Sequence, residues 1–296
     1  MNDPNDKTRF AGALSPEDYE EPRCLLNMED PENPAPVRSI DVRRVVEKLD
    51  EYQSKKDWAG AERHLAFWLG EARLGNDKRG EFAVWNESMG YYRKRGDEEK
   101  ACVAAAEALR MIPELGYEDA ISGGTCYVNS ATVYQAFGMP DRALDLFELA
   151  KPIYEKNLSG GDPRLGGLYN NMALSLVSLR RYGEAHECYK KALAVMEGVP
   201  GGILEQALTV LNIADAIVAE HGPEKADKKV EQLLDRAEEL LGAADPEAHP
   251  ELADAISRGY YAFCCESCAP AFEYYGYFLT AKKLRERAAQ ITEELK

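Results

Sequence analysis

Asn129, Asn171 and Asn212 share one register: each stands fourteen residues before an alanine, at Ala143, Ala185 and Ala226. A primary amide donates and accepts hydrogen bonds at once. One such group per repeat can grip the main chain of an extended peptide without reading its side chains. The alternative is that each amide bonds a neighbouring helix and fixes how the repeats stack, since buried polar groups are normally satisfied within a fold. Other residue types with chemical potential are less well placed. Cys264, Cys265 and Cys268 cluster, but zinc needs about four ligands at recognisable spacing and no CxxC or paired histidine completes a set, so buried packing is the expectation. His64, His186, His221 and His249 are scattered, and a Cys–His pair would have to be assembled in space. The glycine pairs at 123–124, 160–161 and 201–202 match neither a phosphate loop nor a dinucleotide fingerprint and read as turns or close contacts. No catalytic residue, metal site or cofactor is expected.

The elements that must carry these residues are helical. Ala101, Ala143, Ala185 and Ala226 recur at 42, 42 and 41 residues, each opening an amphipathic segment after a polar or glycine turn. A period of this size marks stacked helical hairpins. Small residues fall in matching places (Ala131 with Ala173, Ala150 with Ala192, Gly124 with Gly166), as do large ones (Phe147 with Tyr189). Close helices need a small residue where backbones approach and a large one to fill the space beside it. Val42, Val45, Val46, Leu49 and Tyr52 give an earlier helix, and Ala61 opens a diverged first repeat. Residues 1–36 carry six prolines and a net charge of −6 and read as an irregular or disordered acidic tail, in which Cys24 to Met28 is apolar enough to dock as a clip. The array is expected over 37–246. Residues 247–296 form a diverged last repeat and capping helix, with Pro270 expected to kink or end a helix. Tyr260, Tyr261, Phe263, Phe272, Tyr274, Tyr275, Tyr277 and Phe278 crowd this end, either as the core of the cap or as a patch for a partner.

Composition narrows the partners. With 36 basic and 52 acidic residues the formal charge is −16. That opposes nucleic acid and anionic membrane, and favours neutral or basic partners at long range. No apolar run approaches the roughly 20 residues that span a bilayer. The start lacks a secretory pattern and the seven cysteines are odd in number and dispersed, so a cytoplasmic, reducing location is expected.

Asn170-Asn171-Met172-Ala173, Arg181-Tyr182-Gly183-Glu184-Ala185 and Tyr189-Lys190-Lys191-Ala192-Leu193 resemble the tetratricopeptide repeat family, in particular the longer repeats of the kinesin light chain type. Asp162-Pro163-Arg164-Leu165 and His249-Pro250-Glu251-Leu252-Ala253 resemble that family's helix-opening signature. The resemblance implies an all-α, right-handed superhelical solenoid of antiparallel helix pairs, about five to six hairpins, with the first helix of each lining a concave groove. It places Asn86, Arg93, Asn129, Thr132, Gln135, Asn170, Asn171, Asn212 and Asp215 in that groove. Relatives that clamp a C-terminal carboxylate carry basic residues where this chain has Val128, Gly167 and Leu208, so that mode is not expected. The implied function is a non-catalytic protein–protein interaction scaffold that binds a peptide or protein segment. The alternative is a peptide-responsive regulator, weakened because no basic recognition segment precedes residue 77.

Overall fold

The structure is a computed structural model that describes residues 37–295, without the side chains of residues 224–227. The acidic tail, its apolar stretch at 24–28 and the side chain of Ala226 lie outside the described residues. Among the described residues there are twelve α-helices and no strand. They divide into two units, Met1–Ser88 with Pro113–Leu115, and Met89–Ile112 with Gly116–Lys296.

In the first unit α1 (Val42–Ser54) packs on α2 (Trp58–Leu74). Asp41 and Asp57 begin them, each side chain accepting a hydrogen bond from a first-turn backbone N–H (Arg44 and Gly60) that has no partner inside the helix. Val45 and Leu49 are buried on α1, Ala61 and Leu65 on α2. α3 (Lys78–Arg95) opens under Asp77, whose buried carboxylate accepts from the N–H groups of Gly80 and Ile40.

The second unit holds α4 (Glu98–Glu114) and four hairpins: α5 (Ile121–Ala136) with α6 (Pro140–Asn157), α7 (Pro163–Ser178) with α8 (Tyr182–Glu197), α9 (Ile203–His221) with α10 (Pro223–Ala243), and α11 (Arg258–Tyr274) with α12 (Phe278–Glu294). Each second helix packs on its own first helix, and α6 and α8 also pack on the first helix that follows. The first helices meet one another in turn, α5 with α7, α7 with α9 and α9 with α11, so they form one continuous face. The periodic alanines Ala101, Ala143 and Ala185 are fully buried, and Phe147 and Tyr189 fill matching positions at 0% and 1% exposure. A Cβ added to Gly124 would lie 2.8 Å from Cε1 of Tyr154, and one added to Gly166 would strike Met196, so the matching glycines are close contacts.

The turns share a backbone rule. Gly96, Gly138, Arg180 and Gly222 stand 42 residues apart, and all have positive φ, between 59° and 81°. A positive φ after each of these first helices lets the chain reverse. Of these four positions only Arg180 carries a side chain; Lys56 and Asn76 also take positive φ, in the turns after α1 and α2.

Two expectations for the C-terminal end are corrected. Pro270 neither ends nor breaks α11, which runs through it to Tyr274. Its ring is exposed, while Cys265, Cys268, Ala269 and Phe272, on both sides of it, are buried. The segment at His249 does not open the last hairpin: Pro250–Leu252 is a single 3₁₀ turn, and α11 starts at Arg258 with Ser257 accepting from the Tyr260 N–H. Arg287 of α12 ties this connection down, donating to Asp245 at 2.8 and 3.1 Å and pairing with Glu247 at 2.6 Å. Burial opposes the charge on Asp245, but the Arg287 and Glu247 N–H bonds overcome it and hold the carboxyl below its ordinary range.

Candidate functional site

The continuous face of α5, α7, α9 and α11 carries most of the residues named from the sequence. Thr132 and Asn129 sit on α5, half-buried, with the Thr132 hydroxyl donating to the Asn129 carbonyl at 2.7 Å. Gln135, one turn on, reaches across to α7, its amide nitrogen donating to the Asn171 carbonyl at 3.0 Å and to Ser175 Oγ at 3.1 Å. The amide nitrogen of Asn212 on α9 donates to Asn170 Oδ1 on α7 at 3.1 Å. The Tyr275 hydroxyl donates to Asp215 Oδ1 at 2.7 Å, and Tyr260 donates to Glu205, joining the α11 hairpin to α9. Neighbouring first helices are therefore stitched by one or two side-chain bonds each. The amide of Asn171 is half-buried on the same face and makes no hydrogen bond of its own among the described residues.

Asn86 is not part of this group. It belongs to the first unit, where its amide donates to the Phe82 carbonyl one turn back at 3.0 Å. Arg93 is exposed at the end of α3. The cross-helix partners Ser175, Tyr260 and Tyr275 were not singled out as groove residues from the sequence; Ser175 carries a signal, lying four residues after Asn171 on the same helical face.

Charge changes along the face. α5 has no charged residue and α7 has only Arg164 at its first turn, where it pairs with the capping Asp162. From 203 to 220 and from 259 to 274 the chain carries Glu205, Asp215, Glu220, Glu266 and Glu273 and no lysine or arginine. Between α9 and α11 lies a cleft of about 470 Å³, floored by Leu208 and Leu211 and walled by Asn212, Asp215, Ser267, Pro270, Ala271 and Tyr274. Burial raises the Asp215 carboxyl above its ordinary range, against the lowering effect of the Tyr275 hydroxyl. A second cavity of about 410 Å³ lies among α6, α7 and α8, lined by Leu144, Glu148, Lys151, Glu184 and Cys188.

The C-terminal aromatics divide between both expected roles. Tyr261 and Phe272 are buried and build the cap's core with Cys264, Cys265 and Cys268. Tyr260, Phe263, Tyr274 and Phe278 are exposed, Tyr274 at 76% and Phe263 at 60%. Burial pushes the Cys265 thiol up to about 11 and the Cys264 thiol up to about 12, leaving these sulfurs protonated and unreactive at neutral pH. Among the described residues no group of three or more His, Cys, Asp or Glu side chains is arranged to hold a metal ion. His186 bonds Glu220 at 2.8 Å and His221 lies 3.7 Å from the same carboxylate, a polar cluster in which the His186–Glu220 bond joins α8 to α9. Among the described residues no helix is long and apolar enough to cross a membrane.

Residues 124–198, almost all of α5 to α8, match the family model described as tetratricopeptide repeat. Among solved structures the chain is similar to a Podosopora anserina putative kinesin light chain with nearly identical TPR-like repeats, at 18% identity and a TM-score of 0.44 over 72% of this chain and 95% of that one. It is similar to BtubC (BKLC) from P. vanneervenii at 18% identity and a TM-score of 0.45, over 87% and 93% of the two chains. A tetratricopeptide repeat protein from Parabacteroides merdae is similar at 18% identity and a TM-score of 0.44, over 86% and 91%. No curated protein matches the sequence. The repeat motif is matched across α5–α8, where antiparallel helix pairs stack in turn, so this stretch of the chain carries tetratricopeptide repeats.

Proposed function

We propose that this chain is a non-catalytic scaffold that holds an extended segment of a partner protein against the first helices α5, α7 and α9. Tetratricopeptide repeat proteins generally mediate protein–protein interaction, and the finer assignment rests on this chain's own residues. The carrying observation is the amide of Asn171, half-buried in mid-face and unspent on the fold, between the Gln135 and Asn170 side chains that stitch the repeats together. Asn129, Thr132, Gln135, Asn170, Asn212 and Asp215 supply the rest of the polar lining, and Arg93, exposed in the same unit, is a further candidate contact, whereas Asn86 in the first unit is left out of this site. The bonds that Gln135 and Asn212 make across helices hold the face at fixed spacing, so a ligand meets a pre-formed surface and less ordering opposes binding. The acidic balance of the chain steers neutral or basic protein segments toward it and nucleic acid and anionic membrane away. Six free thiols among the described cysteines fit a reducing compartment, the cytoplasm. Residues 37–246 act as the array and 247–296 as its modified end.

The test is selection of peptides from a display library on the purified chain, followed by titration of the enriched sequences. Asn171→Ala is expected to weaken binding about tenfold, as loss of a buried hydrogen bond to a ligand does, and Gln135→Ala to weaken it by freeing α5 from α7 and loosening the pre-formed face. A substitution on the other side of the hairpins, Lys190→Ala, is expected to change nothing. Enriched peptides that tolerate both face substitutions would overturn the assignment.

A further inference from the structure

The aromatic and acidic side chains of the last two hairpins make a second, chemically distinct stretch of the first-helix face. On α11, Tyr260, Phe263, Ser267, Pro270 and Tyr274 follow one another at steps of three and four residues, which puts them in one stripe about 21 Å long. Phe263 and Tyr260 stack at 6.2 Å between ring centroids with an interplanar angle of 18°, forming one end of the stripe. Tyr274 closes the other end beside the cleft whose floor is Leu208 and Leu211. A stripe of large exposed apolar groups beside an apolar cleft is unusual on a surface with no partner.

The charged groups around this stripe are carboxylate acceptors. Asp215 lines the cleft, Glu205 borders Tyr260, and Glu266 stands on the exposed side of α11. Pro270 has no N–H, so the Glu266 carbonyl one turn back loses its usual helical donor beside the same cleft. The nearest amide donor, the nitrogen of Asn212, is already committed to Asn170. Tyr189 of α8, 1% exposed, has a hydroxyl with no hydrogen-bond partner among the described residues, and the Asp215 charge acts on it. Residues 203–220 and 259–274 carry five acidic residues and neither lysine nor arginine; Glu273 is paired with Arg285 and Glu220 bonds His186, which leaves Glu205, Asp215 and Glu266 without a cationic partner among the described residues. An occupant must therefore bring both apolar side chains and hydrogen-bond donors with positive charge.

We infer that the α9–α11 cleft is the docking site for a basic, apolar segment of a partner protein, whose large side chain enters between Leu211 and Tyr274 while an adjacent lysine or arginine pairs with Asp215. The inference rests on the scaffold reading and assigns this end of the face its ligand chemistry. Residues 1–36 of the chain itself make a poor occupant, since nine acidic side chains against three basic ones repel this wall. A cation beside Asp215 offsets the desolvation that raises its carboxyl. A bound segment that continues toward α5 leaves the acidic stretch for the uncharged polar one, so its basic residues are confined to one end.

The test is selection of random 16-residue peptides from a display library on the full chain, with the enriched pool re-scored on Phe263→Ala, Asp215→Asn and Asn171→Ala variants. Phe263 is exposed and asparagine at 215 keeps an acceptor for the Tyr275 hydroxyl, so neither substitution threatens folding, which circular dichroism checks. A pool that loses about tenfold in binding on Phe263→Ala and on Asp215→Asn, and is enriched in lysine or arginine next to leucine or aromatic residues, supports the assignment. Acidic or neutral enriched peptides, or indifference to both substitutions, overturn it. Dependence on Asn171 alone overturns it while leaving the scaffold reading standing, whereas failure of all three variants to matter removes both. Displacement of the enriched peptides by a synthetic peptide of residues 1–36, or their loss when the chain self-associates at raised concentration, assigns the cleft to another occupant and also overturns the inference.

Discussion

Arg180 is the one side-chain-bearing residue among four periodic turn positions that all require positive φ, and replacing it should stabilise the protein. Its φ is 59°, against 69°, 74° and 81° for Gly96, Gly138 and Gly222. A residue with a Cβ in the left-handed region crowds the following carbonyl and costs about 1–2 kcal/mol. Glycine removes that cost but adds freedom to the unfolded chain, which takes back about 0.5–1 kcal/mol. Arg180 is exposed and forms no salt bridge or side-chain hydrogen bond among the described residues, so no contact is lost with the guanidinium. Arg180→Gly is expected to raise unfolding stability by about 0.5–1 kcal/mol.

The reverse substitution in the preceding repeat supplies the control. Around Gly138 an added Cβ would meet no atom within 4 Å, so Gly138→Ala changes backbone strain alone and should cost about the same 0.5–1 kcal/mol. Arg180→Ala keeps the Cβ and removes the charge, and should leave stability nearly unchanged. Equilibrium urea unfolding followed by circular dichroism reads all three, as midpoint shifts of a few tenths molar at constant slope. A lowered midpoint for Arg180→Gly, or an unmoved one for Gly138→Ala, would refute the idea that the turn backbone sets these energies.

Four further outcomes follow from the packing. Phe272→Ala should cost about 3–5 kcal/mol because the ring is fully buried, while Phe263→Ala on the exposed stripe should stay within about 0.5 kcal/mol, both measurable in the same urea series. Gly167→Ala, with open space around the new methyl, should stabilise by about 0.4–1 kcal/mol, whereas Gly124→Ala should destabilise by about 1–3 kcal/mol as the Tyr154 ring is forced aside. Arg287→Gln should cost about 2 kcal/mol at neutral pH by stranding Asp245; because Asp245 is held below its ordinary range, its contribution is present above about pH 4 and fades as pH falls through the lowered value, so the gap between variant and parent should close in acid, as melting scans at pH 7 and pH 3 would show. Alkylation of the native chain at pH 8 followed by peptide mass spectrometry should label the half-buried Cys102 and Cys188 well before Cys264, Cys265 and Cys268, whose burial holds their thiols protonated; equal labelling would mean that the C-terminal hairpin opens readily.

The helix pairs were legible because their demands repeat. Alanine at 101, 143 and 185 and a large ring at 147 and 189 answer the same geometric need in successive hairpins, so period and residue size together specify the stack. The turns obey the same 42-residue period, yet Arg180 hides it, since nothing in an arginine announces a left-handed backbone. His249-Pro250 was misread for a related reason: it has the residues of a helix start, but Ser257 is the residue whose side chain captures a first-turn N–H, and α11 begins there.

The face itself was only half legible. Asn129, Asn171 and Asn212 share a register, but a shared register does not say which amide is spent on a neighbour. That depends on a shift of one residue between adjacent first helices: Asn212 meets Asn170, and Gln135 meets the Asn171 carbonyl, leaving the Asn171 side chain over. The same limit applies to the last hairpin. Tyr260, Phe263, Pro270 and Tyr274 keep helical spacing, and so do Tyr261, Cys264, Cys265, Cys268 and Phe272, so α11 has two apolar faces and periodicity favours neither. The choice is made by its neighbours. α9 and α12 cover the second set with Leu204, Leu211, Leu284 and Ile291, while Tyr260, Phe263, Pro270 and Tyr274 stay exposed on the other face.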